Sequence, residues 1–186
     1  MKGQFVLTSK MIETGINSIS SFIGISGSDY SGCSIHRLTS RDKFGAIREV
    51  VNNCPVFDFF DKDTDKEIFL QEIFNRESLG TTGIGHNVAI PHGKSKLLDR
   101  VRVGLGISKK GLDFASIDGE PVHLVLVIGS HPLKQMEYLK ALAFIMNHLK
   151  NPLLRSALIN LPFSKNKKEE KSYSQFLDVM QSQVFF

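Results

Sequence analysis

The eight residues "VHLVLVIG", 122–129, form an apolar run that only His123 interrupts. A strand with one wet face alternates apolar and polar side chains, whereas a run of this kind suits a strand covered on both faces. The rest of the chain must therefore supply an apolar layer for each side. Upstream, "VRVGLGI" alternates, with Val101, Val103, Leu105 and Ile107 on one side and Arg102, Gly104 and Gly106 on the other. Asp118-Gly119 marks a turn between these two segments. "NVAI" adds a brief strand candidate, which Pro91 is expected to end where His92 begins.

Helical spacing surrounds these strands. Ser40 is the expected N-cap of a helix carrying Phe44, Ile47, Val50, Val51 and Cys54, and Pro55 stops it. A second helix is expected over Asp65 to Glu77, with Ile68, Phe69, Ile73 and Phe74 on its apolar face. Gly80 follows where a left-handed cap is often needed. Residues 134 to 149 return to helical spacing through Met136, Leu139, Leu142, Ile145, Met146 and Leu149. A short helix at 152 to 160, a charged loop and a last helix near 173 to 182 complete the reading. The result is an α/β chain: a single domain, 33–186, with a small mixed central β-sheet flanked by helices on both faces. Residues 1–32 read as an N-terminal extension. "GINSISSFIGISGSDYSG" shows no clear period there, and "QFVLTSKM" reads as a short strand.

Composition removes several function classes. A length of 186 residues fits one domain, and 41% hydrophobic with 23% charged residues is ordinary for a globular one. Cys33 and Cys54 are the only cysteines and have no ligand spacing, which argues against a disulfide scaffold and for a reducing, cytoplasmic setting. The net charge is only +4. Lys165, Lys167, Lys168 and Lys171 are interrupted by Glu169 and Glu170, so they read as a solvated loop and not as a nucleic-acid patch. No run of 18 apolar residues predicts a membrane-spanning helix, and the first 20 residues do not read as a signal peptide.

The chemistry concentrates in "GIGHNVAIPHGK", residues 83–94, where His86 and His92 stand six positions apart. A metal site needs three or four protein ligands. In an extended segment these two histidines would lie roughly 20 Å apart at a rise near 3.3 Å per residue, so they cannot share an ion. His36, His123 and His148 read as packing or surface histidines, and His86 as an exposed turn residue. His92 has different neighbours. Gly93 would let another molecule approach the main chain, and Lys94 adds a positive charge. In "TTGIG", Thr82, Gly83 and Gly85 could turn donors toward an anion, and Arg76 could add a guanidinium. Neutral imidazole is a competent nucleophile near pH 7. Phosphate handling and a packed histidine both remain open at this level.

"NRESLGTTGIGHNVAIPHGK", residues 75–94, resembles the active-site signature of the fructose/mannitol-type enzyme IIA domains of the bacterial phosphoenolpyruvate-dependent sugar phosphotransferase system. That family includes the nitrogen-regulatory IIA proteins. "GLDFASIDGEPVHLVLVIG" and "YLKALAFIMNHLKNPLLRSAL" extend the likeness over about 33 to 182. The resemblance implies that His92 accepts a phosphoryl group from the phosphorylated histidine of a small phosphocarrier protein and passes it to a cysteine of a IIB domain. In regulatory members the phosphorylation state is itself the signal. It also implies that no cofactor is bound. The pattern departs from the family at two places. Tyr138 stands where many members carry a second histidine, leaving His131 or His86 as auxiliary candidates, and His86 replaces a small or amide residue. A chain with no attached IIB or transporter segment favours a regulatory protein that binds a target over a relay toward a sugar permease. Neither nucleic acid nor a membrane is an expected partner.

Overall fold

The computed structural model describes residues 33–160. The strand expected in "QFVLTSKM", the lysine-rich loop and the helix near 173–182 lie outside the described residues. Strand β1, Cys33–Arg37, leads into helix α1, Lys43–Asn53, a 3₁₀ turn at Pro55–Phe57 and helix α2, Asp63–Leu79. Three short strands follow, β2 at Gly83–Gly85, β3 at Val88–Ala89 and β4 at His92–Lys94. The long strands β5, Arg102–Leu112, and β6, Val122–Ser130, precede helices α3, Gln135–Leu149, and α4, Pro152–Ile159.

These strands make one mixed sheet of six, in the order β1-β5-β6-β3-β2, with β4 also against β6. The apolar run is therefore the central strand. On one face of the sheet, Val125 and Val127 meet a layer from α1, α2 and the 3₁₀ turn, including Ile47, Val50, Phe57, Phe69 and Ile73. On the other face, Leu124, Leu126 and Ile128 join Val103, Leu105 and Ile107 beneath Tyr138, Ala141 and Ile145 of α3 and Leu154 and Leu158 of α4. The mixed sheet with helices on both faces matches the expectation, and β6 is covered on both sides as its composition requires.

Local details depart from the sequence reading in four places. Asp42, not Ser40, caps α1, its carboxylate accepting from the Gly45 amide at 2.8 Å. Ser40 instead donates its amide (2.8 Å) and hydroxyl (2.5 Å) to Glu49. The buried face of α2 runs through Phe69, Leu70, Ile73 and Glu77, while Ile68 is 63% exposed, because the helix seats Phe69 and Ile73 on Gly93 of β4. Gly80 caps that helix at φ 167°, in extended backbone, since the chain passes straight toward β2 without a left-handed turn. Helix α3 buries Tyr138, Ala141, Ile145 and Leu149, and leaves Met136, Leu139 and Met146 on its outer side. Both phases of α3 are apolar, so composition alone does not choose between them.

β3 and β4 are one strand with an interruption. Val88 and Ala89 pair in parallel with Leu124 and Val125, and His92, Gly93 and Lys94 with Ile128, Gly129 and Ser130. Pro91 therefore does not end the pairing. It lacks an N–H, but its carbonyl accepts from the Ile128 amide at 2.9 Å and carries the ladder across the gap.

Phe69 ties this arrangement together, with its ring 5.8 Å from Phe57 and 5.4 Å from Phe60 and its side chain against β4 and β6. Truncation leaves a cavity that neighbouring rings fill only in part. Phe69→Ala is expected to lower unfolding free energy by about 3–5 kcal/mol in urea titration, with the denaturant slope unchanged.

Candidate functional site

His92 opens β4 on the face covered by α3. Its Nδ1 lies 3.0 Å from the carbonyl oxygen of Ile90, two residues back in its own chain. A carbonyl can only accept, so Nδ1 carries the proton and Nε2 presents a lone pair. The ring is half-buried beside Tyr138, with centroids 5.5 Å apart and planes tilted by 38°. Burial acts first to push the His92 pKa below its usual 6.5. The Ile90 hydrogen bond opposes this, Arg76 and Lys94 add to it, and Glu77 opposes it. The imidazole is thus held neutral at pH 7, the form in which it can act as a nucleophile.

Two cations act on this ring. Lys94, two residues along β4, shares the His92 face and is exposed. Arg76 sits in the last turn of α2, and one guanidinium nitrogen donates to the Gly80 carbonyl at 2.9 Å. Its charge acts on both His92 and Tyr138. The expected cationic residue therefore stands within the site's field, but it is oriented through the helix C-cap and is not bidentate.

The glycines serve packing. A Cβ on Gly93 would lie 2.6 Å from Cγ1 of Ile73 and 3.1 Å from the Phe69 ring, so this glycine lets α2 lie on β4 and does not open the main chain to a ligand. The donors of "TTGIG" are likewise engaged inside the protein. The Thr82 amide (3.0 Å) and hydroxyl (2.5 Å) both reach Glu77 Oε2. The Gly83 amide donates to Thr81 Oγ1 at 2.9 Å and the Gly85 amide to Ser116 Oγ at 3.1 Å. These bonds fold the segment onto residues 114–118 and engage the Thr82, Gly83 and Gly85 amides within the protein. That correction concerns partners distant in sequence, which the segment itself does not reveal.

The auxiliary histidines separate. His86 is exposed at φ 55° in the turn between β2 and β3, its amide donating to Asp118 at 2.7 Å. The neighbouring Asn87 is level with His123 and Leu124 of β6, whereas His92 is level with Ile128. That offset places His86 roughly 15 Å or more from His92 along the sheet, at about 3.3 Å per residue, so it cannot assist that ring. His131 lies at the correct end of β6, but its Nδ1 accepts from the Leu133 amide at 3.1 Å in the turn before α3. Tyr138 is the residue brought against His92. His36, His123 and His148 are hydrogen-bonded to Glu49, the Ser108 carbonyl and the Phe144 carbonyl, as packing histidines should be.

Sequence reasoning missed Glu77 as a site residue. Its carboxylate is fully buried, and beyond the two Thr82 donors it takes the Lys43 ammonium at 3.1 Å. A single glutamate on a helix gives no sign of burial until its partners on another helix and a turn are known.

Similarity to known proteins spans most of the chain. The family described as "Phosphoenolpyruvate-dependent sugar phosphotransferase system, EIIA 2" matches residues 35–169. A fructose-specific EIIABC component of Bacillus subtilis is 34% identical over 122 residues, covering 66% of this chain and 19% of that protein. A nitrogen regulatory protein of Bradyrhizobium diazoefficiens is 40% identical over 85 residues, covering 46% of this chain and 53% of that protein. The chain thus spans between a fifth and about half the length of these relatives. Among solved structures, the nitrogen regulatory protein IIA-Ntr of Neisseria meningitidis superposes with a TM-score of 0.59 at 21% identity, over 71% of this chain and 87% of that one. The IIA mannitol enzyme of Escherichia coli, solved in complex with phosphorylated IIB, gives 0.55 at 17% identity over 83% and 97%. These structures share the fold.

The pKa direction gives a solution test. His92 should titrate below pH 6.5 when followed by NMR of its ring signals. Because the folded value is lowered, the contribution of this ring to stability is present above about pH 6.5 and is lost as pH falls, as the ring protonates. A His92 midpoint at or above 6.5 would contradict the buried, Ile90-bonded geometry.

Proposed function

The chain belongs to the EIIA 2 family of the phosphoenolpyruvate-dependent sugar phosphotransferase system, and on that premise we propose that it is a phosphocarrier in which His92 accepts a phosphoryl group from the phosphohistidine of a small phosphocarrier protein. The observation that carries this reading is the Nδ1–Ile90 hydrogen bond, which leaves Nε2 unprotonated beside Tyr138 and in the field of two cations. The Nε2 lone pair forms a bond to phosphorus as the bond from phosphorus to the donor imidazole breaks. That electron pair returns to the donor ring. The Nδ1 proton stays in place throughout, so no separate general base is required. Arg76 and Lys94 face the charge that spreads over the equatorial oxygens of the transferring group. The step needs no cofactor.

In this reading the protein is cytoplasmic and regulatory, and its phosphorylation state sets its contact with a target protein. Support comes from Tyr138. Where an imidazole could accept and return a proton near pH 7, the phenol is buried, and burial pushes its pKa above the usual 10 while Arg76 acts in the opposite sense. A site of this kind suits a held phosphoryl group better than rapid passage to a IIB cysteine. The second reading, a relay toward a sugar permease, is favoured by the likeness to the fructose-specific EIIABC component.

The experiment incubates the protein with phosphoenolpyruvate and the two general phosphotransferase proteins and maps acid-labile phosphate. Label is expected on His92, lost in His92→Ala with circular dichroism unchanged; undiminished label in that variant would overturn the assignment. Arg76→Ala should accept phosphate on the order of 100-fold more slowly, and a wild-type rate would remove Arg76 from the mechanism. Rapid transfer by the unmodified protein to a IIB domain would favour the relay over the regulatory reading.

A further inference from the structure

Arg102 occupies a place where a charged side chain is costly. It stands two residues before Gly104 on β5, on the face covered by α1 and the 3₁₀ turn, with 12% of its side chain exposed. Its guanidinium lies over the Phe59 ring, 4.4 Å from the centroid. One terminal nitrogen donates to the Val56 carbonyl at 3.2 Å and the other to Asp99 Oδ1 at 3.0 Å. Nε is buried and has no hydrogen-bond partner, the only such side-chain nitrogen or oxygen among the described residues. A buried donor left unmatched loses its hydration with nothing in return. Replacing a buried charge by an apolar side chain of similar volume is often neutral or stabilising. Burial alone therefore gives no reason for an arginine here, but its reach does.

The guanidinium fork spans the end of the sheet. Asp99 belongs to the loop that leaves β4 just after His92 and Lys94 and returns as β5. Its carboxylate is held by Arg102, and its carbonyl accepts from Lys134 Nζ at 2.7 Å. Lys134 is the residue before α3, and its own carbonyl takes the Tyr138 amide at 3.1 Å. Tyr138 packs its ring on His92, with 5.5 Å between centroids. A continuous set of contacts thus starts at Val56 and Phe59, which belong to the apolar layer on one face of the sheet. It runs through Arg102, Asp99 and Lys134 to the first turn of α3 and the imidazole on the other face.

We infer that Arg102 is a positioning residue for phosphoryl acceptance: through Asp99 and Lys134 it fixes the first turn of α3, and with it the Tyr138 wall, against His92. It touches neither the imidazole nor the group the imidazole would carry. The inference rests on His92 as the phosphoryl acceptor. It adds the device that holds α3 at a set distance from β4, anchored in the apolar layer on the far side of the sheet. The cost of the unmatched Nε is then the cost of reaching from that layer to the loop beside the site.

The test uses the full chain and three readouts: the rate of His92 labelling by the phosphorylated phosphocarrier protein, the His92 ring signals of the unphosphorylated protein by NMR, and the thermal midpoint. Arg102→Met keeps bulk over Phe59 and removes the fork. It should leave the midpoint unchanged or higher and move the His92 ring signals, a combination that a merely structural role would not give. Labelling at saturating donor should slow by up to about 100-fold, as a misplacement of roughly 1 Å does, while the donor concentration for half-maximal rate stays the same. Arg102→Lys, which can reach Asp99 but not Asp99 and Val56 together, should recover part of the rate. Lys134→Met cuts the same path at the surface, and combining it with Arg102→Met should add little further loss, because contacts in one network are not additive. Additive losses, or a lower midpoint with ring signals and labelling as in the unmodified protein, overturn the inference while His92 stands. If Arg102→Met does not fold, Lys134→Met decides alone: unmoved His92 ring signals overturn the inference, and moved signals support it. If the unmodified protein carries no label on His92, the acceptor reading fails, and the inference about phosphoryl acceptance with it.

Discussion

A buried carboxylate sets the geometry on which the site depends. Glu77 lies in the last turn of α2 with none of its side chain exposed, and three donors from two other places converge on it: Lys43 from α1, and the amide and hydroxyl of Thr82 from the turn beyond the helix. Burying an ion costs several kcal/mol, which only complete pairing offsets, and removing one partner of such a set is far more damaging than the pair is stabilising. The consequence is positional. α1, α2 and the segment leading to β2 must come together in one arrangement for the carboxylate to be satisfied. Arg76, one residue earlier, is thereby fixed at the same helix end, and its guanidinium is steadied by the Gly80 carbonyl. Two opposite charges adjacent in sequence thus act on His92 with opposite sign. Burial, the largest influence, decides the balance, and the ring stays neutral.

The second constraint is the thinness of the sheet where α2 crosses it. Gly93 of β4 and Gly129 of β6 are paired in register, and a Cβ on either would meet Phe69, at 3.1 Å and 3.0 Å. With both positions empty, the Phe69 ring lies against the two strands, and α2 is close enough to the sheet for Arg76 to act on His92. The alternation of β4 divides the labour: Gly93 faces the helix that supplies charge, and His92 and Lys94 face the helix that supplies Tyr138. A side chain at position 93 would separate these layers and weaken the field at His92 without touching the ring.

How much of this is legible in the sequence follows from what kind of information each feature needs. The central strand, the turn at Asp118-Gly119 and the extents of α1, α3 and α4 depend on local composition and period, and they are readable from it. The phase of α3 is not, because Met136, Leu139 and Met146 make one apolar stripe and Tyr138, Ala141 and Ile145 another, and the choice belongs to the sheet beneath. The partners of the Thr82, Gly83 and Gly85 amides are not legible for a related reason. A glycine- and threonine-rich segment offers amides to an anion or to its own protein in equal measure, and here Ser116, Asp118 and Glu77 are the takers. Proximity of Tyr138 to His92 was readable only through a family register.

The orientation of the His92 ring, by contrast, is written almost entirely into three consecutive residues. Pro91 fixes its own φ and contributes no donor, while its carbonyl pairs with Ile128 and so anchors the segment to the central strand. The preceding residue, Ile90, faces away from β6, and its carbonyl meets the imidazole two residues on. The Ile90 amide is held at 3.0 Å by the Thr82 carbonyl, so this acceptor is not free to rotate away. The tautomer of His92 is therefore imposed by backbone alone, with no carboxylate needed to orient the ring. A carboxylate in that role would raise the imidazole pKa and favour the protonated, non-nucleophilic form. A neutral carbonyl orients the ring with less of that cost, and it leaves the negative charge of Glu77 on the opposite side of the sheet, where it is already neutralised by Lys43. The interruption at Ile90-Pro91 is thus the feature that leaves a sheet histidine oriented, with Nε2 unprotonated.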